Sequence, residues 1–218
     1  LSTFSALGKG EYYELDENKE VVDSTWYNSG RFVKTYVNLE PRLSAVYKLN
    51  DVSSVKASYA RTVQNMHLLT YVNMGSPFDR WTSSSNNIKP QIADQFTVGY
   101  FRNFKDNIYE FSVEAYYKNM RNQIDFKDHA QFQGYDVIDT EVRFGKGRAY
   151  GVEFMLKKRT GRFNGWGSYT LAKSEKKIDG INNNKWYNAY QDRTHDISLV
   201  GIYELNRKWS LSAAWVYY

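Results

Sequence analysis

The chain has no cysteine, only three prolines and only three histidines in 218 residues. Without thiols it can hold neither a disulfide framework nor a thiolate metal site, and it is compatible with an oxidising compartment. His67, His129 and His195 are too far apart for a ligand pair at a spacing such as i, i+4. No run of 18 apolar residues exists, so no segment is long and apolar enough to cross a bilayer as a helix. Crossing with strands stays open, because an alternating pattern dilutes the hydropathy signal to near that of a soluble protein.

What the chain has instead is aromatic surface. Aromatics make up 17% of it, led by 19 Tyr and 6 Trp, at a mean hydropathy of -0.66. An ordinary soluble domain carries fewer aromatics, and a helical membrane protein is far more apolar. The net charge of +5 and pI near 9.1 come from 29 basic against 24 acidic side chains. That is a mixed surface, and it does not call for a nucleic-acid partner. The length permits one large β domain or two small ones. The sequence opens at Leu1 without Met and stops inside an alternating run at Tyr218, so both ends are expected to be cuts in a longer protein.

Residues 107–120, NIYEFSVEAYYKNM, show two faces suited to two solvents. Tyr109, Phe111, Val113, Ala115 and Tyr117 alternate with Glu110, Ser112, Glu114, Tyr116 and Lys118, which is the period of a strand. Residues 107–117 extend roughly 36 Å at about 3.4 Å per residue, enough to cross about 25 Å of hydrocarbon at a tilt near 45°. A typical globular strand is about half as long. Tyrosines bound the apolar face at both ends, where an interfacial girdle would sit.

The same alternation recurs at 41–49, 52–64, 95–104, 148–158, 163–173, 195–205 and 209–218, with 1–7 as the end of an earlier strand. Gly165 and Gly167 blunt the pattern in one of these. Tight turns are expected at Asn50-Asp51, 105–107, 160–162 and Asn206-Arg207. Between them lie long polar connections at 8–38, 65–94, 121–146 and 174–191. Strict alternation of short and long connections fits short periplasmic turns and long extracellular loops better than a soluble β domain. The expected fold is therefore all-β: an antiparallel up-and-down transmembrane β-barrel, about nine strands of it here, with an unpaired edge at each end that favours aggregation of an isolated piece.

Particular residues sharpen this. Lys89-Pro90, Ala93-Asp94-Gln95 and Gly99-Tyr100, then residues 114–120 (EAYYKNM) with Asn122 and Ile124, resemble the barrel of TonB-dependent outer-membrane receptors, especially those of Bacteroidetes. Gly151-Val152-Glu153-Phe154 and residues 192–196 (DRTHD) resemble two later strand openings of that family. The resemblance implies a 22-stranded barrel, of which residues 1–218 would be a single wall fragment without the plug domain, TonB box or closing strands. It also implies a place in the outer membrane of a Gram-negative bacterium, and uptake of a scarce nutrient energised through the TonB-ExbB-ExbD complex. A siderophore, haem or similar small ligand is the expected cargo, with outer-membrane lipid and lipopolysaccharide around the wall. No catalysis, cofactor or metal is expected. A porin-like channel, an outer-membrane enzyme and a soluble aromatic-rich domain binding polysaccharide are the alternatives.

Candidate ligand contacts lie in the loop after residue 64: His67, Tyr71, Arg80 and Trp81 could stack on and pair with an anionic ligand. The plainer reading is that Tyr71, Phe78 and Trp81 pack the loop and that His67 and His129 are solvated. Glu110, Glu114, Gly151 and Glu153 are expected on the lumen side, toward a plug; Glu114 and Glu153 could alternatively pair for acid/base chemistry. Thr194-His195-Asp196-Ile197-Ser198 holds serine, histidine and aspartate, but strand neighbours point to opposite faces and form no relay. Lys157, Lys158, Arg159 and Arg162 suit headgroup anchoring at the inner rim, while Lys173, Lys176, Lys177 and Lys185 could meet lipopolysaccharide phosphates.

Overall fold

The computed structural model describes residues 1–16, 18–69, 79–127 and 138–218, apart from the side chain of Arg80. Among these residues the chain is almost all strand. In order they are β1 (Ser2–Leu15), β2 (Val21–Asn38), β3 (Arg42–Asn50), β4 (Ser53–Gln64), β5 (Met66–Leu69), β6 (Arg80–Ser83) and β7 (Gln91–Phe104). Then come β8 (Tyr109–Phe126), β9 (Val142–Lys158), β10 (Phe163–Ile178), β11 (Tyr187–Asn188), β12 (His195–Asn206) and β13 (Trp209–Tyr217).

Nine of them form one antiparallel sheet. Its path is β3-β4-β7-β8-β9-β10-β12-β13, a meander in which sequence neighbours are spatial neighbours, with β11 paired off the path to β10. The turns work as the sequence chemistry requires. The side-chain oxygen of Asn50 accepts from the Val52 amide at 3.0 Å, and that of Asn206 accepts from Lys208 and Trp209 at 2.9 and 3.1 Å. Lys105, Asp106 and Asn107 all adopt positive φ, which polar residues tolerate in tight turns. At Gly165 the strands approach so closely that a Cβ would sit 2.1 Å from the Val200 carbonyl oxygen, so only glycine fits. Within the described residues β3 and β13 are paired on one side only.

Two expectations need correction. The strands reach further outward than their alternation: β8 continues to Phe126, β9 begins at Val142, and β7 begins at Gln91. Beyond the apolar band a register irregularity between Arg121 and Gln123 breaks the alternation of β8, and Ile124 and Phe126 resume it out of step with the band, so pairing persists where the period of the band has lapsed. The supposed connection at 8–38 is largely a second sheet, β1 paired with β2 from Ser2↔Asn38 to Leu15↔Val21 with irregularities at Ala6/Leu7, Gly8/Gly10 and Glu14/Leu15. Since β2 does not pair with β3, residues 39–41 are not a hairpin turn.

This β1-β2 hairpin lies over the outer end of the sheet. Its root is tied by Ser2 Oγ to Glu40 at 2.5 Å, beside β3. Its tip places Lys19 Nζ 4.7 Å from the centre of the Phe144 ring on β9. Between these points Tyr36 donates to the Ser85 carbonyl at 2.6 Å, and Asn86 and Asn87 both donate to the Tyr13 carbonyl.

Among the described residues, the cluster of buried apolar side chains also lies at this outer end. Leu69, Ile88, Ile124, Phe126 and Val142 pack together, with Ile138 and Phe144 against them. It binds the β5-β6 hairpin and the segment after it to the outer ends of β8 and β9. The wall below has no comparable core, because its two faces each look onto a solvent rather than another layer.

Candidate ligand mouth, lumen face and membrane band

Cross-strand register turns single-strand alternation into rows. Tyr59↔Phe96↔Tyr117↔Tyr150 forms one, Ala57↔Val98↔Ala115↔Val152↔Leu171 the next, and Val55↔Tyr100↔Val113↔Phe154↔Tyr169↔Ile197 the third. These rows share one apolar face. It ends toward the short turns at Phe104 and Tyr109, where Lys105 and Lys158 sit 5.8 and 6.0 Å from the Tyr109 ring centre. On β8 the band from Tyr109 to Tyr117 rises roughly 27 Å along the strand, or about 20 Å at a barrel tilt, close to the hydrocarbon height of an outer-membrane wall.

The other boundary is a change of chemistry on the same face. Two residues beyond Tyr59 and Phe96 stand Arg61 and Asp94. Asp94 accepts from Arg61 at 2.6 Å, from Tyr59 at 2.7 Å and from Arg121 at 3.0 Å. The Arg61 guanidinium and the Tyr59 hydroxyl hold this carboxylate in place. Arg148 in the next strands pairs with Glu175 at 2.8 Å and stacks 4.3 Å from the Trp186 ring centre. This ion-pair belt on the aromatic rim marks where hydrocarbon gives way to water.

The opposite face carries Ser58↔Thr97↔Tyr116↔Gly151 and Lys56↔Gly99↔Glu114↔Glu153↔Thr170↔Asp196. Glu114 and Glu153 stand directly opposite each other, and neither has an ion-pair partner among the described residues. Gly151 lies on this face beside Tyr116. Glu110 does too, at the inner rim, but it is engaged by Arg159.

At the mouth the sequence candidates separate. His67 is not solvated: it is 1% exposed, with Nε2 3.2 Å from Ser84 Oγ. Burial pushes its imidazole below the ordinary range. It belongs to the underside of the β5-β6 hairpin, next to buried Leu69. On the opposite side Trp81, paired with Leu68, is 64% exposed, so it does not pack the loop as the plainer reading had it. Arg80 pairs through its backbone with Leu69, while Tyr71, Phe78 and His129 fall outside the described residues. Sequence reasoning missed Asp139, whose carboxyl is pushed up by burial and accepts from Asn87 at 2.8 Å. It lines a hollow of about 230 Å³ with Glu11, Tyr12, Tyr13 and Ser85 between the β1-β2 hairpin and the loops.

Other candidates resolve locally. His195 stacks on Tyr169 and lies 2.9 Å from its hydroxyl, while Ser198 turns to Asp196, so no relay assembles. Of the four outer lysines, Lys176 points to Asp125 at 3.4 Å and Lys173 to Asp192 at 3.5 Å. Lys177 stays on the apolar-band face. Among the described residues no group of three His, Asp or Glu side chains is disposed to hold a metal ion.

A meandering sheet with one apolar face, one polar face, aromatic rims and short turns at one end is the wall of a transmembrane β-barrel. Residues 3–218 match the family described as TonB dependent receptor-like, beta-barrel, and the chain belongs to that family, whose barrels lie in the outer membrane of Gram-negative bacteria.

Solved structures share the fold at low identity. The ferric-catecholate import receptor Fiu of E. coli K12 is 20% identical, over 86% of this chain and 26% of that one, with a TM-score of 0.54. The alcaligin outer-membrane receptor FauA of Bordetella pertussis is 13% identical, over 88% of this chain and 31% of that one, with a TM-score of 0.55. The ferripyoverdine receptor of Pseudomonas aeruginosa is 16% identical, over 88% of this chain and 23% of that one, also with a TM-score of 0.55. The chain therefore spans 23–31% of the length of these three receptors. No curated protein matches the sequence.

Proposed function

We propose that the chain is a wall segment of an outer-membrane receptor that actively takes up a scarce nutrient, with a siderophore or similar iron-carrying ligand as cargo. The receptors that share its fold are named for ferric-catecholate, alcaligin and ferripyoverdine. The observation that carries the reading is the lumen face. Two glutamates placed opposite each other without a cation on a sheet repel, and the arrangement is stabilised once a cationic group fills the space between them. A plug domain outside residues 1–218 supplies that group, and the TonB-ExbB-ExbD complex acts on the plug. Gly151 keeps the wall low beside the pair. The wall itself catalyses nothing. At the mouth, exposed Trp81 meets the ligand, and buried His67 positions the hairpin that carries Trp81; Arg80 and Tyr71 are further proposed ligand contacts.

The test is uptake of a panel of radiolabelled ferric siderophores by cells carrying the intact gene product, with and without a functional TonB. Accumulation that disappears without TonB, and falls in the Glu114→Gln, Glu153→Gln double variant, is the expected result. Accumulation independent of TonB would replace this reading with a passive channel.

A further inference from the structure

The polar face of the sheet is not polar throughout. Register sets Met155↔Ser168↔Ser198↔Val216 in one row of that face and Lys157↔Trp166↔Val200↔Ala214 in the next toward the short turns. Ile202 follows on β12, opposite Asn164 and Ser212. Met155, Trp166 and Ile202 are 37%, 38% and 37% exposed. With Val200, Ala214 and Val216 they stand in facing, diagonal or i, i+2 positions, within reach of one another. They make one apolar patch across β9, β10, β12 and β13.

The other half of the same face is built differently. On β4, β7 and β8 it carries Lys56, Ser58, Gln95, Thr97, Glu114 and Tyr116. Phe101, the large apolar side chain there, folds over Gly99, where a Cβ would lie 3.0 Å from its ring. The face therefore has a wet half and a dry half. The Glu114-Glu153 pair stands at their border, with Met155 two residues from Glu153 on β9.

Chemistry narrows what covers the dry half. Lipid does not reach a face that lines a lumen, and apolar side chains left against water there are unfavourable. Apolar patches rimmed by polar groups mark contacts with protein. Charge adds a second condition, because Glu114 and Glu153 are stabilised by a cation at the edge of the patch. A plug domain meets both conditions with one surface, apolar toward β9 to β13 and basic at the border. A polar iron-carrying ligand does not meet the first. It is suited to the wet half, whose hydroxyl and amide groups offer hydrogen bonds in place of water.

We propose that the plug domain of the intact protein is seated on the apolar patch of β9, β10, β12 and β13 and stays there during transport, while cargo passes between plug and wall along β4, β7 and β8. The dry contact resists opening because parting it exposes apolar surface on both partners. The wet contact opens at lower cost, since water replaces its hydrogen bonds. The inference rests on the receptor reading of the proposed function and deepens it by naming the side of the wall that holds and the side that opens.

The experiment places single cysteines in an intact receptor that carries no other, as Ser58→Cys, Thr97→Cys, Val200→Cys and Ile202→Cys. Heat-modifiable gel mobility confirms that each barrel is folded. Labelling by a membrane-impermeant maleimide is then timed in cells with and without functional TonB, before and during supply of the panel of radiolabelled ferric siderophores. At positions 58 and 97 labelling should accelerate at least about threefold during TonB-dependent uptake, while at 200 and 202 it should stay about tenfold slower in every condition. Labelling at 200 and 202 as fast as at 58 and 97 overturns the seat. Fast labelling at 200 that slows when siderophore is added overturns it too, and makes the patch a cargo site. Unchanged labelling at 58 and 97 during uptake overturns the path. Accumulation of label without TonB instead refutes the receptor reading itself, and the radiolabel reports it independently of the cysteines.

Discussion

Replacing Ile88 by alanine tests whether the mouth is held by its own core rather than by the wall. Ile88 is 1% exposed and packs among Leu69, Ile124, Phe126 and Val142. Truncating a buried isoleucine in such a cluster costs about 2–5 kcal/mol, from lost transfer free energy and the cavity left behind. If that cost falls on local opening of the cap, the open population rises at least about 30-fold. Amide hydrogen exchange on the intact receptor reads it at two amides: Ser84, bonded to the Asn65 carbonyl at 2.8 Å, and Ser85, bonded to the Ile88 carbonyl at 2.9 Å. Exchange at those amides and in β5 should accelerate by that factor, while amides of β8 and β9 within the membrane band stay unchanged. Leu68→Ala, on the exposed side of the same hairpin, should shift exchange by less than about threefold. Unchanged exchange in Ile88→Ala, or equal acceleration by both variants, would refute the claim that this cluster holds the mouth.

Three further outcomes follow from the same geometry. His67 is a base whose folded pKa is depressed, so its contribution to cap stability is complete above its unfolded value of about 6.5 and is lost as pH falls from there toward the folded value. Asp139 has a raised pKa and runs the other way, stabilising below its unfolded value and losing this as pH rises through the folded one, so cap exchange is best followed from pH 8 to 5 in an Asp139→Asn background. Val113→Arg, at the middle of the apolar band, should cost about 2–4 kcal/mol in refolding into bilayers. Thr97→Arg, on the lumen face, should cost under about 1 kcal/mol, and reversal of that order would invert the assignment of faces. Gly165→Ala must push β10 from β12 against the Val200 carbonyl and should destabilise the wall by about 1–3 kcal/mol, measured by heat-modifiable gel mobility of the intact receptor.

The sequence by itself determined the wall. Alternation at 107–120 and its repeats marks which residues face lipid, and the Asn50, 105–107 and Asn206 turns mark the short-loop rim, because a strand between two solvents must show its two faces residue by residue. Glu114, Gly151 and Glu153 share the polar face by the same parity, the face proposed to line the lumen. Only the tertiary structure decided what happens outside the membrane band. There the regular alternation lapses, so pairing of β1 with β2, the extension of β8 to Phe126 and the burial of His67 depend on contacts between segments distant in sequence. The patch of Met155, Trp166 and Val200 likewise came from pairing. Each is an ordinary apolar residue in its own strand, and only the register across β9, β10 and β12 places the three side by side.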